Sequence, residues 1–310
     1  MPQINGYHNG RTSSNPTRRG AKFYYVSNGR LKAVSADRCG GRLYLGVELE
    51  VAEFPSDAKR QAALEKVTEI IGQYINVCSD ASLNMGFEIV FDPMTLGAFQ
   101  LIRPLVEQAM QAITDNGGKG HDTHRCNAGL HVHVSRIAFG TTQEARDLAL
   151  GKVFELTERL QSSFSAIARR DIAYCNWCEP TGYGHSVTDS SRAIRLKSRR
   201  IQDGQGYDTH DGRRYHVWNC QNTSTIECRA FRSTLKATTF YATLAFVDSI
   251  VRFATLKTTP EVHETRTVTE LVVWARDIAV TPSTREPIAD LVTYWSDRVN
   301  HMGEYTTYTA

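Results

Sequence analysis

Apolar and polar positions along this chain alternate every second residue in several short runs and recur at helical intervals in several longer ones, with the two kinds interleaved. "FYYVSNGRLKAV" holds two β-rich runs about Asn28-Gly29, the strongest short signal for a hairpin. "LYLGVELEVA" predicts a further strand. Residues 57–74 predict a helix with Ala63, Val67, Ile70 and Tyr74 lining one face. "NVCSDASL" and "FEIVFDPM" predict a strand pair turning at residues 84–86. After it Phe99, Ile102, Val106, Ala109 and Ile113 recur at helical spacing, with Pro104 as a kink or break. "GLHVHVS" reads as a strand, and residues 142–170 as helical. The polar segment "HSVTDSSRAIRLKSRRIQDGQGYDTHDGRR" shows no hydrophobic period and reads as loop. "RYHVWNC" and "STIECRAFR" predict paired strands. The end is helical, over residues 236–256 and in two pieces after Thr267. Strands and helices mix without strict alternation, which predicts an α+β fold around an antiparallel sheet. With no repeat and no second hydrophobic unit, the expected organisation is a flexible arm over residues 1–20 and a single domain over 21–310.

Period two also sorts the chemistry by face. In "GLHVHVS" Leu130, Val132 and Val134 share one face, while His131, His133 and Ser135 share the other. In "GVELEV" Glu48 and Glu50 oppose Val47, Leu49 and Val51, and lie about 7 Å apart by strand rise. Glu88 stands between Phe87 and Ile89, and Asp80 closes the preceding strand. In "TIECRAF" Glu227 and Arg229 share a face opposite Ile226 and Cys228. A solvated outer face accounts for any one of these. Together they are five acids, two histidines and an arginine, whereas exposed strand faces mix Thr, Ser and Lys with both signs of charge. Carboxylates gathered on one sheet raise one another's pKa unless cations sit among them, so the pattern predicts bound cations. Oxygen donors with one or two imidazoles suit Mg²⁺ or Mn²⁺ better than Zn²⁺. Such ions commonly accompany phosphate, yet no "GxxxxGK[ST]" loop occurs, which argues against a P-loop nucleotide site.

At 310 residues, with 41% hydrophobic and 22% charged content, the chain can bury a full core. No window holds the roughly 18 unbroken apolar residues of a membrane span. The opening stretch lacks the apolar core of a signal peptide, so a cytoplasmic protein is expected. Seven thinly spread cysteines fit a reducing interior, and Cys175 and Cys178 lack the second pair of a zinc ribbon. Residues 1–36 carry six basic and no acidic side chains, so the whole-chain charge of +3 leaves the remainder at −3. A solvated tail explains this composition more often than a nucleic-acid contact does.

In order and spacing, "GVELEV", "DASL" with "FEIVFDPM", "GLHVHVS", "FSAIARRDIAY" and "RYHVWNCQNTSTIECRAFRSTL" resemble the amidoligases, relatives of glutamine synthetase in the carboxylate-amine ligase superfamily. The resemblance runs from about Gly46 to Leu235. It implies a curved antiparallel sheet lined with metal ligands, backed by helices, and holding ATP with Mg²⁺ or Mn²⁺. By it Glu48, His131 and Glu227 hold the ion that bridges the nucleotide phosphates, and Glu50, Asp80 and Glu88 the one nearer the acceptor. His133 and Ser135 face the nucleotide, and Arg214 contacts phosphate. Arg229 grips the substrate carboxylate, and Arg229 or Arg232 stabilises charge on the acyl oxygen, with Glu50 as a further catalytic group. The implied activity joins a carboxylate to an amine through an acyl phosphate, giving an amide or isopeptide bond, with peptides or proteins among the substrates. The Arg-rich segment 192–214 is either a lid over the polyphosphate or a plain surface loop. Asp80 departs from the Glu of the synthetase, whose ammonia and glutamate loops have no counterpart. Two other readings stay open: a metal-dependent hydrolase using His131, His133 and the acids, and a nucleic-acid-binding module using the basic arm.

Overall fold

A computed structural model of the chain describes residues 5–6, 22–80, 82–121, 128–172, 178, 189–203 and 215–300. The strands are β1 (Asn5–Gly6), β2 (Phe23–Ser27), β3 (Arg30–Val34), β4 (Leu45–Val51), β5 (Ile75–Ser79), β6 (Phe87–Met94), β7 (Gly129–Ser135), β8 (Trp218–Asn219) and β9 (Thr225–Arg232). They form one sheet in the order β1-β5-β6-β4-β7-β9-β8, with the β2–β3 hairpin joined to β6. Every pairing is antiparallel except β1 with β5 and the single bridge from β2 to β6. This is the expected α+β architecture. Asn28 and Gly29 both take positive φ, 51° and 70°, as a tight hairpin turn requires.

The helices are α1 (Asp57–Ile71), α2 (Leu96–Leu101), α3 (Arg103–Asp115), α4 (Gln143–Arg159), α5 (Gln161–Ala168), α6 (Ser191–Gln202), α7 (Ala237–Leu256), α8 (Thr259–Glu264), α9 (Val268–Ile278) and α10 (Pro282–Asn300). The expected break falls at Ile102, with Pro104 in the first turn of α3, where its missing N–H costs nothing. Helix α7 is the hub of the core. Its Phe240 meets Phe91 of the sheet and Phe99 of α2, and its Phe246 meets Phe231 of the sheet and Phe164 of α5. By length and composition α7 could cross a membrane, but 83% of its most apolar window is buried in this core.

Four expectations need correction. Helix α1 stops at Ile71 and buries Ala63, Leu64, Val67 and Ile71, leaving Ile70 and Tyr74 half-buried, because the chain tightens into a 3-10 turn at Gly72. The polar segment read as loop contains α6, capped by Ser190 and burying Ile194, Ser198 and Ile201 at helical spacing. It docks on α4 at Gly151, where a Cβ would stand 2.6 Å from Ile194. The short helix α8, with a Thr258–Glu261 capping box, is additional to the C-terminal pieces expected. Strict alternation in "STIECRAFR" is broken, because Val132 pairs with Cys228 but Leu130 pairs with Phe231, so β9 carries an extra residue there. Arg214, Cys175 and residues 204–213 of the Arg-rich segment lie outside the described residues, as do residues 1–4 and 7–21.

Candidate active site

The four central strands bring their polar faces together in register. On β4 Glu48 lies opposite His131 of β7, and Glu50 lies opposite Glu88 of β6. His133 of β7 lies opposite Glu227 of β9, which in turn lies opposite Asn219 of β8. Glu48, Glu50, Glu88, His131, His133, Glu227 and Arg229 are all buried, Glu88 completely.

Glu48 is at the centre. Its Oε2 lies 3.4 Å from His131 Nδ1 and its Oε1 3.2 Å from His133 Nε2. Glu227 Oε1 lies 3.4 Å from the same His131 nitrogen and accepts a hydrogen bond from Arg229 Nη1 at 2.5 Å. Glu227 Oε2 accepts from Asn219 Nδ2 at 2.8 Å. Glu50 Oε2 accepts from the Gly129 N–H at 2.5 Å, and its Oε1 lies 3.8 Å from His131 Nε2. Gly129 is needed here, since a Cβ on it would stand 2.5 Å from His131 Nε2. Thr225 Oγ1, 3.2 Å from His133 Nδ1, orients the second imidazole.

Burial raises every carboxyl in this group, and the neighbours decide the outcome. At Glu48 the burial effect is outweighed by His133 and His131, which hold the carboxyl well below its usual range. At Glu227 it is outweighed by Arg229 and both histidines, so that carboxyl is lowered too. At Glu50 burial prevails over His131 and the Gly129 N–H, and the pKa is raised. Glu88 is pushed well above its usual value by burial and then by the charges of Glu48 and Glu50. His133 is raised because Glu48 and Glu227 outweigh the burial that opposes them.

A divalent cation fits this donor set. Donor atoms of Glu48, Glu88 and His131 lie within 4.8 Å of one another, as do those of Glu48, His133 and Glu227. Two ionised carboxylates that close repel by roughly 3 kcal/mol at an effective dielectric of about 20. Among the described residues, both oxygens of Glu88 are buried without a hydrogen-bond partner. His133 Nε2 has the 3.2 Å ion-pair approach to Glu48 as its contact, with no geometrically satisfied hydrogen bond among the described residues. A cation would satisfy these orphan atoms and remove the repulsion together.

The structure thus brings together Glu48, Glu50, Glu88, His131, His133, Glu227 and Arg229. Asp80 is half-buried after β5, where its Oδ1 accepts from the Ser82 N–H at 2.7 Å, and it enters neither close donor group. Ser135 ends β7 opposite Thr225. Arg232 returns to the polar face because of the extra residue in β9, and lies opposite Gly129. Alternation does not single out Asn219, Thr225 or Ser233, whose Oγ donates to the Glu50 carbonyl at 2.6 Å. Gly129 carried a signal, standing at the head of the histidine strand.

An open antiparallel sheet with helices on its apolar face and an acid–imidazole cluster on the other defines the class of protein. Residues 72–251 match the family described as "Putative amidoligase enzyme", and the chain belongs to that family. No curated protein matches. Among solved structures, the chain is similar to one titled "Crystal structure of the complex between Prokaryotic Ubiquitin-like Protein Pup and its Ligase PafA", with 9% identity and a TM-score of 0.38 over 86% of this chain. The match covers 65% of that chain, so this chain spans less than two thirds of its length.

Proposed function

We propose that this chain is an ATP-dependent carboxylate-amine ligase that uses Mg²⁺ or Mn²⁺ and joins its substrates through an acyl phosphate. One observation carries the reading: completely buried Glu88, with two unpartnered oxygens, beside a second close donor group that shares Glu48. Glu48, His133 and Glu227 would hold one ion, and Glu48, Glu88 and His131 a second. This moves His133 from the nucleotide to a metal. It leaves Asp80 and Ser135 at the rim, Asp80 acting on Glu50 and Glu88 through its charge. When bound, ATP with its metal would supply the phosphoryl group that gives a carboxylate a leaving group.

The chain's own residues position and exchange protons. Arg229 spends Nη1 on Glu227 and keeps Nε buried and unpartnered, so that edge of its fork is available to a substrate carboxylate and to charge on the acyl oxygen. Glu50, raised by burial and anchored by Gly129, is suited to take the proton an attacking amine must lose. Asn219 and Thr225 fix the orientations of Glu227 and His133. Peptide or protein substrates and a cytoplasmic setting, where ATP and Mg²⁺ are supplied, belong to the same proposal.

The test is ADP release with Mg²⁺ present, screened against pools of carboxylates and amines. Release that needs both pools and stops with EDTA is expected. Hydrolytic turnover without ATP would instead establish the metal-dependent hydrolase.

A further inference from the structure

The hairpin of β8 and β9 carries Glu227 together with Asn219 and Thr225, and a side chain from outside the hairpin holds its turn. Arg136 opens a 3-10 turn directly after β7, the strand that bears His131 and His133. Its Nε donates to the Asn222 carbonyl at 2.9 Å and its Nη2 to the Cys220 carbonyl at 2.6 Å, both between β8 and β9. Its backbone N–H donates to the Ser224 carbonyl at 3.0 Å. Nη1 donates at 2.9 Å to Gln202 Oε1 at the end of α6, and Gln202 Nε2 donates in turn to Asp147 of α4 at 3.0 Å. A planar guanidinium that meets three acceptors at once locks the turn against β7 and α6 together.

The gripped residues adjoin those that orient the site. Cys220 follows Asn219, whose Nδ2 donates to Glu227 Oε2 and whose Oδ1 accepts from the Gln221 N–H at 2.9 Å. Ser224 precedes Thr225, whose hydroxyl contacts His133 Nδ1. Arg136 therefore fixes the turn, the turn fixes Asn219 and Thr225, and these fix Glu227 and His133. The other donor group is built differently. Glu88 stands on β6, which pairs with β4 and β5, and His131 lies opposite Glu48 within the sheet.

We propose that Arg136 is a positioning residue for one ion: it keeps Glu48, His133 and Glu227 in ligating geometry, while Glu48, Glu88 and His131 are held by the sheet itself. Through Gln202, helix α6 braces the same hairpin, which gives the described part of the Arg-rich segment a task at the site. The inference rests on the two-ion reading above.

Calorimetric titration of the full chain with Mn²⁺, with EPR spectra of the bound ions, tests this on wild type, Arg136→Met and Arg136→Lys. Wild type should bind two ions, and because they share Glu48 their spins should couple. Arg136→Met should weaken one ion by about tenfold or more, the range expected when an outer contact is lost, and leave the other within about twofold. Its spectrum at low Mn²⁺ should be that of an isolated ion. Arg136→Lys keeps the charge and a donor, so the fold should survive, yet an ammonium cannot span three acceptors and the same ion should weaken. The lysine variant decides the matter if Arg136→Met does not fold. Equal weakening of both ions marks a general loss of structure and overturns the role, as does unchanged affinity for both in Arg136→Lys. A wild type that binds a single ion defeats the two-ion reading; weakening of that ion in Arg136→Lys then supports the positioning role, and its retention overturns it.

Discussion

Every residue of β4 from Leu45 to Val51 is buried, yet its two faces are buried by opposite means. The apolar face of the sheet meets α7, where rings such as Phe91 and Phe240 lie 5.8 Å apart between centroids. The polar face holds four carboxylates, two imidazoles and a guanidinium drawn from four strands. The first arrangement gains free energy from every apolar group removed from water. The second loses it, since desolvating an ion costs several kcal/mol and the Coulombic return depends on geometry. One face therefore stabilises the fold, and the other is a strained binding surface that the first supports.

The largest expected effect tests the stabilising face. Phe240→Ala removes a ring that meets Phe91, Phe99 and Tyr241, and should cost about 3–5 kcal/mol in urea unfolding. A loss below about 1 kcal/mol would break the comparison. Gly129→Ala comes next, on the polar face. Its methyl would stand 2.5 Å from His131 Nε2 and would force apart His131 and the Gly129–Glu50 hydrogen bond. Overpacking of this kind costs about 1–3 kcal/mol. Nucleotide-dependent turnover should fall by more than about tenfold, and full activity with normal stability would show that His131 tolerates displacement.

Glu88→Gln reverses the usual sign of a core substitution. A carboxyl held above its ordinary value keeps its proton in the folded chain between the unfolded and folded pKa values. Glu88 therefore leaves stability highest below about pH 4.3 and lowers it as pH rises toward the folded value. The amide cannot ionise, so the metal-free variant should be more stable than wild type at pH 8. Mg²⁺ should raise the melting temperature of wild type but not of the variant. Melting curves at pH 5 and pH 8, with Mg²⁺ and with EDTA, measure both. A variant less stable than metal-free wild type at pH 8 would mean that Glu88 has a partner that compensates it.

Alternation alone separates the two faces, because a strand forces neighbouring side chains apart whatever its partners are. What it leaves open is which groups meet. That Glu48 lies between two imidazoles while Glu50 faces Glu88 depends on segments as far apart as Glu48 and His131, and Glu50 and Glu88, finding one register. The metal assignment by resemblance paired His131 with Glu227, and those two do lie 3.4 Å apart, but His133 is equally placed. Arg232 shows the limit of parity: without the extra residue in β9 it would share the apolar face with Cys228. Helix α6 is hidden for a different reason. Its buried row is Ile194, Ser198 and Ile201, so a serine breaks the apolar period, and Arg and Lys side chains dominate the rest.

The smallest change in stability should come from Thr225→Val, and its interest lies beside Ile226→Val, because adjacent residues of β9 point to opposite faces. Ile226→Val removes one methylene from the packed side, which typically costs about 0.5–1.5 kcal/mol and should leave metal affinity unchanged. Thr225→Val replaces a hydroxyl with a methyl of nearly the same shape. The hydroxyl's hydrogen bond to His133 Nδ1, at 3.2 Å, is the one described partner of that imidazole nitrogen. Losing it should cost less than about 1 kcal/mol in unfolding. The imidazole then loses the contact that sets its tautomer and ring plane, and outer contacts of this kind typically govern about 10–100-fold in metal affinity. Mg²⁺ or Mn²⁺ titrations and urea unfolding on both variants give the contrast: stability without affinity at 226, affinity without stability at 225. If Thr225→Val binds the metal as well as wild type, His133 is not a ligand and the ion group it shares with Glu48 and Glu227 is wrong.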